Sequence, residues 1–263
     1  MSVFGNYARY YDLLYKDKDY AGETAYMTAL LKKHASTAQT LLELGCGTGL
    51  HAALLAERGY GVHGVDVSDT MLAQAQARAV QLSPMMQTRL AFSHGDVRSV
   101  RIGRKVDAVL SLFHVVSYQT RNEDLKAQFE TANAHLEAGG VFLFDVWYGP
   151  AVLTDRPAVR IKRLEDEAIR VVRLAEPAMR PNDCCVDVTY HVFITDKASG
   201  AVEEVHETHH MRYLFQPELV LLLAQSGFEL VHAEEWMSAK PLGFDTWGAC
   251  FVARKTTVVS SQI

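Results

Sequence analysis

Apolar and polar positions fall into two regimes along the chain. From Thr40 to Asp145, short apolar runs alternate with amphipathic stretches. Thr40 to Leu44 reads as a first strand, and Leu50 to Arg58 as a helix closed by Gly59, a natural C-cap. Val62 to Asp66 is a second strand. Asp69 caps a helix that runs to about Val80, and Leu90 to Phe92 is a short third strand. Val106 to Phe113 is an unbroken apolar run, as expected of a strand covered on both faces. A helix from Glu123 to Leu136 follows, with Asn122 as its cap, and Gly139-Gly140 turns the chain into a fifth strand, Val141 to Asp145. This alternation predicts a parallel, doubly wound sheet with right-handed crossovers.

The period then changes to two. Val186, Val188, Tyr190, Val192 and Ile194 alternate strictly, the mark of a half-buried antiparallel strand. Arg160 to Glu176 and Glu203 to Phe215 are also strand-like, so the segment predicts an antiparallel β insert after the fifth strand, lying over the sheet. Pro217 to Ser226 is a helix with proline in its first turn, and Phe228 to Trp236 and Trp247 to Ala253 supply two last strands. Ahead of the first strand, Glu23 to Lys33 is an amphipathic helix. Tyr7, Tyr11 and Tyr15, spaced by four, share one helical face in an aromatic segment that also contains Tyr20. That face either packs on the core or closes over a ligand as a lid.

Chemistry concentrates at the strand ends. The first strand discharges into Glu43-Leu44-Gly45-Cys46-Gly47-Thr48-Gly49. Such a turn lets backbone approach a ligand, because glycine has no Cβ and tolerates positive φ. Glu43 would repel a phosphate and suits a cationic or hydroxyl-rich ligand, which argues against a nicotinamide dinucleotide. The second strand also ends in an acid, Asp66, roughly 20 residues on, where nucleotide-binding α/β folds place a carboxylate on ribose hydroxyls. Asp96 follows the third strand. One strand-end acid is ordinary; three in succession mark the carboxyl edge of the sheet, where ligands bind in such folds. His114 and Tyr118 follow the fourth strand, and Asp145, Trp147 and Tyr148 end the fifth. His206-Glu207-Thr208-His209-His210 matches the H-E-x-x-H zinc-helix pattern. Its surroundings read as strand, where residues four apart lie about 13 Å distant, so no metal is expected.

Composition removes other classes. The net charge of −5 over 263 residues gives no basic excess for a nucleic acid. Neither a signal peptide nor an apolar membrane span is visible. Four cysteines, Cys46, Cys184, Cys185 and Cys250, without a CxxC pair suit a reduced, cytoplasmic compartment.

The glycine turn with its leading acid resembles motif I of the class I S-adenosylmethionine-dependent methyltransferases. The resemblance implies an α/β fold: a Rossmann-like, doubly wound, seven-stranded sheet with the β insert after the fifth strand. It implies S-adenosyl-L-methionine as cofactor and S-adenosyl-L-homocysteine as product. Cofactor contacts would fall to Tyr11, Tyr20, Glu43, Gly45, Cys46, Gly47, Gly49, Asp66, Val67, Met71, Asp96, Val97 and Leu112, with Asp66 on the ribose and Asp96 at the adenine. A narrower resemblance runs through Tyr11-Asp12-Leu13, Lys18-Asp19-Tyr20, Gly45 to His51, Gly103-Arg104-Lys105 and Trp147-Tyr148-Gly149-Pro150, in the order found in bacterial nucleotide-sugar N,N-dimethyltransferases. It implies methyl transfer to the amino group of a nucleotide-linked sugar, with the insert on the acceptor side. His114 and Tyr118 are then the candidates for deprotonating or orienting the acceptor; Tyr7, Asp145, Trp147, Tyr148 and His210 would line its pocket. That family has serines where this chain has His114-Val115, and Tyr or His, the proposed base, at Tyr118. The imidazole of His114 keeps a sugar-hydroxyl acceptor open, and a non-enzymatic S-adenosylmethionine-binding regulator is the reading from another class. The division expected is a helical lid over 1–36, a cofactor domain over 37–150, the insert over 151–215, the rest of the sheet over 216–255 and a tail over 256–263. No membrane or nucleic-acid partner is expected, and a homodimer is compatible.

Overall fold

In the computed structural model, which describes residue 11 and residues 13–256, α1 (Tyr20–His34) precedes a regular alternation. This comprises β1 (Thr40–Leu44), α2 (Leu50–Glu57), β2 (Gly61–Asp66), α3 (Asp69–Val80), α4 (Pro84–Gln87), β3 (Leu90–His94), β4 (Val106–Ser111), α5 (Asn122–His135) and β5 (Leu136–Tyr148). A short helix α6 (Gly149–Thr154) leads into β6 (Arg160–Glu165), β7 (Ile169–Arg180), β8 (Cys185–Asp196) and β9 (Val202–Leu214). The chain closes with α7 (Gln216–Gln225), β10 (Phe228–Glu235) and β11 (Gly248–Lys255).

Strands β1 to β5 are parallel in the order β3-β2-β1-β4-β5, and β11 joins β5 antiparallel with β10 beyond it. This is the expected seven-stranded, doubly wound sheet. Side-chain alternation splits its core in two. Leu42, Val109, Phe142, Phe144 and Phe251 point to one face, against Leu125 and Phe129 of α5 and Leu219 and Leu223 of α7. Leu41, Leu110, Leu143 and Val252 point to the other, against Met27 and Leu31 of α1 and Leu55 of α2. Because both faces are covered, the strands read as continuous apolar runs.

Ser68, not Asp69, caps α3 by accepting the Met71 N–H, and two expectations about the sheet also need correcting. β4 stops at Ser111, short of Phe113: Phe113 and His114 both take φ 63° and lead into a tight turn over Val115–Tyr118. The apolar run continues, but it lines a bend. The insert extends the sheet rather than lying over it. Trp147 and Tyr148 pair parallel with Tyr213 and Leu214, and β9-β8-β7-β6 follow as an antiparallel run. β4 has ended by then, since its last partner on β5 is Phe144, and β9 takes up β5 further along. Pro177 lies in β7 beyond the stretch covered by β6, where a missing N–H costs no ladder bond.

Candidate active site

The carboxyl ends of the parallel strands and the inner face of the insert enclose a cavity of about 420 Å³. Its wall takes Gly45, Cys46 and Gly47 from the turn after β1, Asp66 and Val67 from the end of β2, and Asp96 and Val97 after β3. Leu112, Phe113, His114 and Tyr118 follow β4, and Trp147 closes β5. Tyr11, Tyr15 and Tyr20 come from the N-terminal segment; Tyr190 of β8 with His209 and Met211 of β9 come from the insert.

On the glycine side, Asp66 organises the backbone. Its Oδ2 accepts the Gly47 N–H at 2.8 Å and its Oδ1 accepts the Ser68 N–H at 2.9 Å. Burial nevertheless pushes its pKa above the usual carboxylate range. A Cβ built on Gly47 would meet nothing within 4 Å, so that glycine opens onto free space in the cradle. Glu43 lies behind the turn, 1% exposed, with Oε2 lacking a hydrogen-bond partner. Burial, then the charge of Asp66, pushes its pKa up to about 8. His51 of α2 bridges inward: its Nε2 is 2.8 Å from Glu23 and its Nδ1 is 3.7 Å from Glu43. Asp96 is gripped by Arg98, whose Nη2 is 2.6 Å from Oδ2 and whose Nη1 reaches Asp124 at 2.9 Å. That grip holds the Asp96 pKa below the usual range despite partial burial.

Two imidazole–carboxylate pairs stand on the opposite side. The His114 backbone N–H donates to Asp145 at 3.1 Å, and its Nδ1 lies 2.7 Å from Asp145 Oδ2, close enough for an ion pair but without hydrogen-bond geometry. The left-handed backbone at His114 therefore positions its main chain and ring on one buried carboxylate. Beside it, Tyr118 Oη is 2.7 Å from His209 Nδ1, and His209 Nε2 is 3.3 Å from Glu207 Oε2. Burial pushes the Tyr118 hydroxyl pKa well above its ordinary value. Tyr190 packs edge-on against His209 at 4.9 Å between ring centroids.

Most of the candidates from sequence meet at this wall, and five described ones do not line it. Glu43 sits behind the turn. Gly49 packs rather than lines: its φ is 73°, and a Cβ there would come within 2.9 Å of Ala75. Asp145 is buried and serves the wall through His114. Tyr148 faces the other way along β5, into the core beside Phe251. His210 is on the outer face of β9, beside Asp187 at 2.6 Å, and borders a separate depression with Arg180 and Arg212. Strand alternation makes His209 the histidine that faces inward. Tyr7 lies outside the described residues. Tyr15 lines the wall as the lid reading expected, while Arg98, Asp124, Tyr190, His209 and Met211 are wall residues that the reading of the sequence missed. The signal for His209 was present, because it falls in register with the apolar positions Val205, Met211 and Tyr213 of the same strand. The H-E-x-x-H residues do lie on a strand; His206 pairs with Glu204 and His210 with Asp187.

The strand order, the glycine cradle and the strand-end acids define a Rossmann-like, nucleoside-binding methyltransferase architecture. Residues 41–140 match the family model described as a methyltransferase domain. The dTDP-3-amino-3,4,6-trideoxy-alpha-D-glucopyranose N,N-dimethyltransferase of Streptomyces venezuelae is 28% identical, across 90% of this chain and 96% of its own length. The dTDP-3-amino-3,6-dideoxy-alpha-D-glucopyranose N,N-dimethyltransferase of Streptomyces fradiae is 30% identical over 77% of this chain and 76% of its own. An S-adenosylmethionine-dependent methyltransferase structure from Clostridium acetobutylicum superposes with a TM-score of 0.78 at 21% identity, over 94% of this chain and 96% of that one. The chain belongs to the S-adenosylmethionine-dependent methyltransferases. The residues present fit that cofactor: an orphaned buried carboxyl oxygen stands behind the turn, and Gly47 leaves space that any Cβ would fill.

Proposed function

We propose that this methyltransferase acts on the amino group of a nucleotide-linked sugar. The observation that carries the reading is the reach of the similarity. The Streptomyces venezuelae relative, named as an aminosugar N,N-dimethyltransferase, aligns with 90% of the chain, so the alignment takes in the insert as well as the cofactor half. The wall residues Tyr190, His209 and Met211 come from that insert, which would therefore shape the acceptor side.

In this reading Asp66 takes the ribose hydroxyls, and Asp96 with Val97 borders the adenine. Gly45 and Gly47 bring backbone against the amino-acid portion of the cofactor, with Glu43 behind them. Bound S-adenosylmethionine supplies a methyl group on a sulfonium, an electrophile that needs no further activation. What remains for the protein is to hold the acceptor in line, exclude water and remove a proton from the nucleophile. Tyr11, Tyr15 and Tyr20 present aromatic faces to the cavity, a favourable setting for positive charge. The N-terminal segment would act as the lid. Tyr118 and His114 face the acceptor, and Asp145 holds the His114 main chain.

The His114–Asp145 pair supports a second reading, an O-methyltransferase for a sugar hydroxyl, because an imidazole beside a buried carboxylate is a suitable base for an alcohol. The N-methylation reading ranks first because two relatives that align across both halves of the chain are N-methyltransferases by name. Among the described residues no helix is long and apolar enough to cross a membrane. A cytoplasmic enzyme working on a small molecule without nucleic acid, as a monomer or homodimer, fits the reading.

Methyl transfer from labelled S-adenosylmethionine to a panel of nucleotide-linked amino and non-amino sugars, read by product mass, tests it. Mass gains on amino sugars alone are expected. Gains on hydroxyl sugars alone would move the reading to O-methylation, and no transfer to any sugar would overturn it.

A further inference from the structure

We propose that Tyr118, His209 and Glu207 form a proton relay, in which Tyr118 takes the acceptor's proton while passing its own to His209. The proposal rests on the amino-sugar reading above, because an amine enters as an ammonium and must lose a proton before it can attack.

Tyr118 has the right place but the wrong chemistry to act alone. It faces the cavity from the turn after β4. Burial is the largest of several effects that disfavour its phenolate, with Tyr15, Tyr190 and Glu207 adding to it. A relay avoids the phenolate altogether. The Tyr118 O–H donates to His209 Nδ1 at 2.7 Å, and His209 Nε2–H donates to Glu207 Oε2 at 3.3 Å. An ionised Glu207 can only accept, which assigns the proton to Nε2 and the lone pair to Nδ1. The His209 and Glu207 side chains are 3% and 7% exposed, so an imidazolium formed there meets a carboxylate with little water between them. Titratable groups packed around them include Tyr11, Tyr15 and Tyr190, with Arg173 stacked over the Tyr190 ring at 4.8 Å.

The proton balance is simple. One N–H bond of the acceptor ammonium breaks and an O–H bond forms on Tyr118. The original Tyr118 O–H breaks and an N–H forms at His209 Nδ1. The amine keeps its lone pair, Tyr118 remains neutral, and the charge rests on His209 against Glu207. After the product leaves, the same path in reverse hands the proton to water in the cavity. Tyr118 comes from the parallel-sheet half while His209 and Glu207 come from β9, so the relay is complete only with the insert docked. His114 is separately engaged with Asp145 and takes no part.

The test measures kcat and KM against pH for the wild type, His209→Gln, Glu207→Gln, Tyr118→Phe and the Tyr118→Phe/His209→Gln double variant, on an amino sugar taken from the panel. S-adenosylhomocysteine affinity by calorimetry reports on folding. His209→Gln is expected to lower kcat about 100-fold at neutral pH, in line with the loss of general-base assistance. KM and S-adenosylhomocysteine affinity should stay within about threefold, since only proton transfer is removed. Raising the pH towards the free amine's own ionisation should restore much of the lost rate. Glu207→Gln should move the acid limb of kcat to lower pH, because the imidazolium loses its carboxylate. The double variant should be no slower than either single one, as expected of groups that act as a unit. Wild-type kcat and an unmoved acid limb in both His209→Gln and Glu207→Gln would overturn the relay. So would multiplicative losses in the double variant. If His209→Gln fails to fold, Glu207→Gln and Tyr118→Phe decide the matter by the same limb. A wild type that methylates no amine overturns the acceptor reading, and the relay with it; an active wild type with indifferent variants overturns the relay alone.

Discussion

Glu43 is an acid buried without a full set of partners, and a site explains why it is tolerated. Removing a carboxyl from water raises its pKa, and the neighbouring Asp66 raises it further, so Glu43 sits at about 8. In the unfolded chain a glutamate titrates near 4.3. Between roughly 4.3 and 8 the folded chain therefore holds a proton that the unfolded chain has released. Stability must fall as pH rises across that window and level off above it, a change on the order of a few kcal/mol. Glu43→Gln should flatten this slope, read as the denaturant midpoint at pH 5 and pH 8. Asp66, raised by burial, contributes in the same direction, so some slope should survive. An unaltered slope in Glu43→Gln would show that the folded protein already carries Glu43 ionised. The acid was legible in the sequence from its place before the turn. Its burial was not, because it depends on His51 and Glu23 closing in from α2 and α1.

Within the β1–α2 turn, glycines that look alike in the sequence do different jobs. Gly45 has φ 80°, and a Cβ there would come within 2.6 Å of Val115. Gly47 has φ 53° with open space where its Cβ would be. Gly45→Ala combines left-handed strain with a clash and should cost about 2–4 kcal/mol of stability. Gly47→Ala carries the strain alone, about 1–2 kcal/mol, but fills the cradle and should weaken S-adenosylhomocysteine binding at least about tenfold. Denaturation and calorimetry on the two variants separate the jobs; equal losses of stability would remove the distinction. The same contrast marks what the sequence could reveal about elements. The parallel sheet was legible because strands buried on both faces are written as apolar runs. The insert was legible as antiparallel from its period of two, and its inner face could have been chosen from Val205, Met211 and Tyr213. That choice selects His209 over His210. The end of β4 was not legible, since Phe113 is as apolar as a strand residue and only the bend at φ 63° reassigns it. Nor was the docking of the insert: the pairing of β9 with Trp147 and Tyr148 is a long-range contact that local patterning does not encode.

At the scale of the molecule, the cavity exists because three separate stretches of chain converge on it, and Leu14 is where they meet. Leu14 is 1% exposed and packs in one cluster with Met71 of α3, Val171 of β7, Val192 and Ile194 of β8 and Val205 of β9. The cofactor half and the insert therefore touch partly through the N-terminal segment, which Lys162 of β6 also holds by its amino group at the Leu14 carbonyl. If the segment is a lid, this cluster is the latch, and it must release for ligand to enter. Local opening of this kind draws on weakly held elements and leaves the central sheet intact. Leu14→Ala removes most of a buried side chain, which costs about 2–5 kcal/mol when the site belongs to a cooperative core. In a lid, that loss falls on the closed state alone. The expected outcome is global unfolding changed by less than about 1 kcal/mol, faster proteolysis within residues 13–20, and S-adenosylhomocysteine dissociation accelerated about tenfold or more. A fall in global stability of the full core size, with the dissociation rate unmoved, would make the segment a fixed part of the core. Ligand would then have to enter past some other part of the wall.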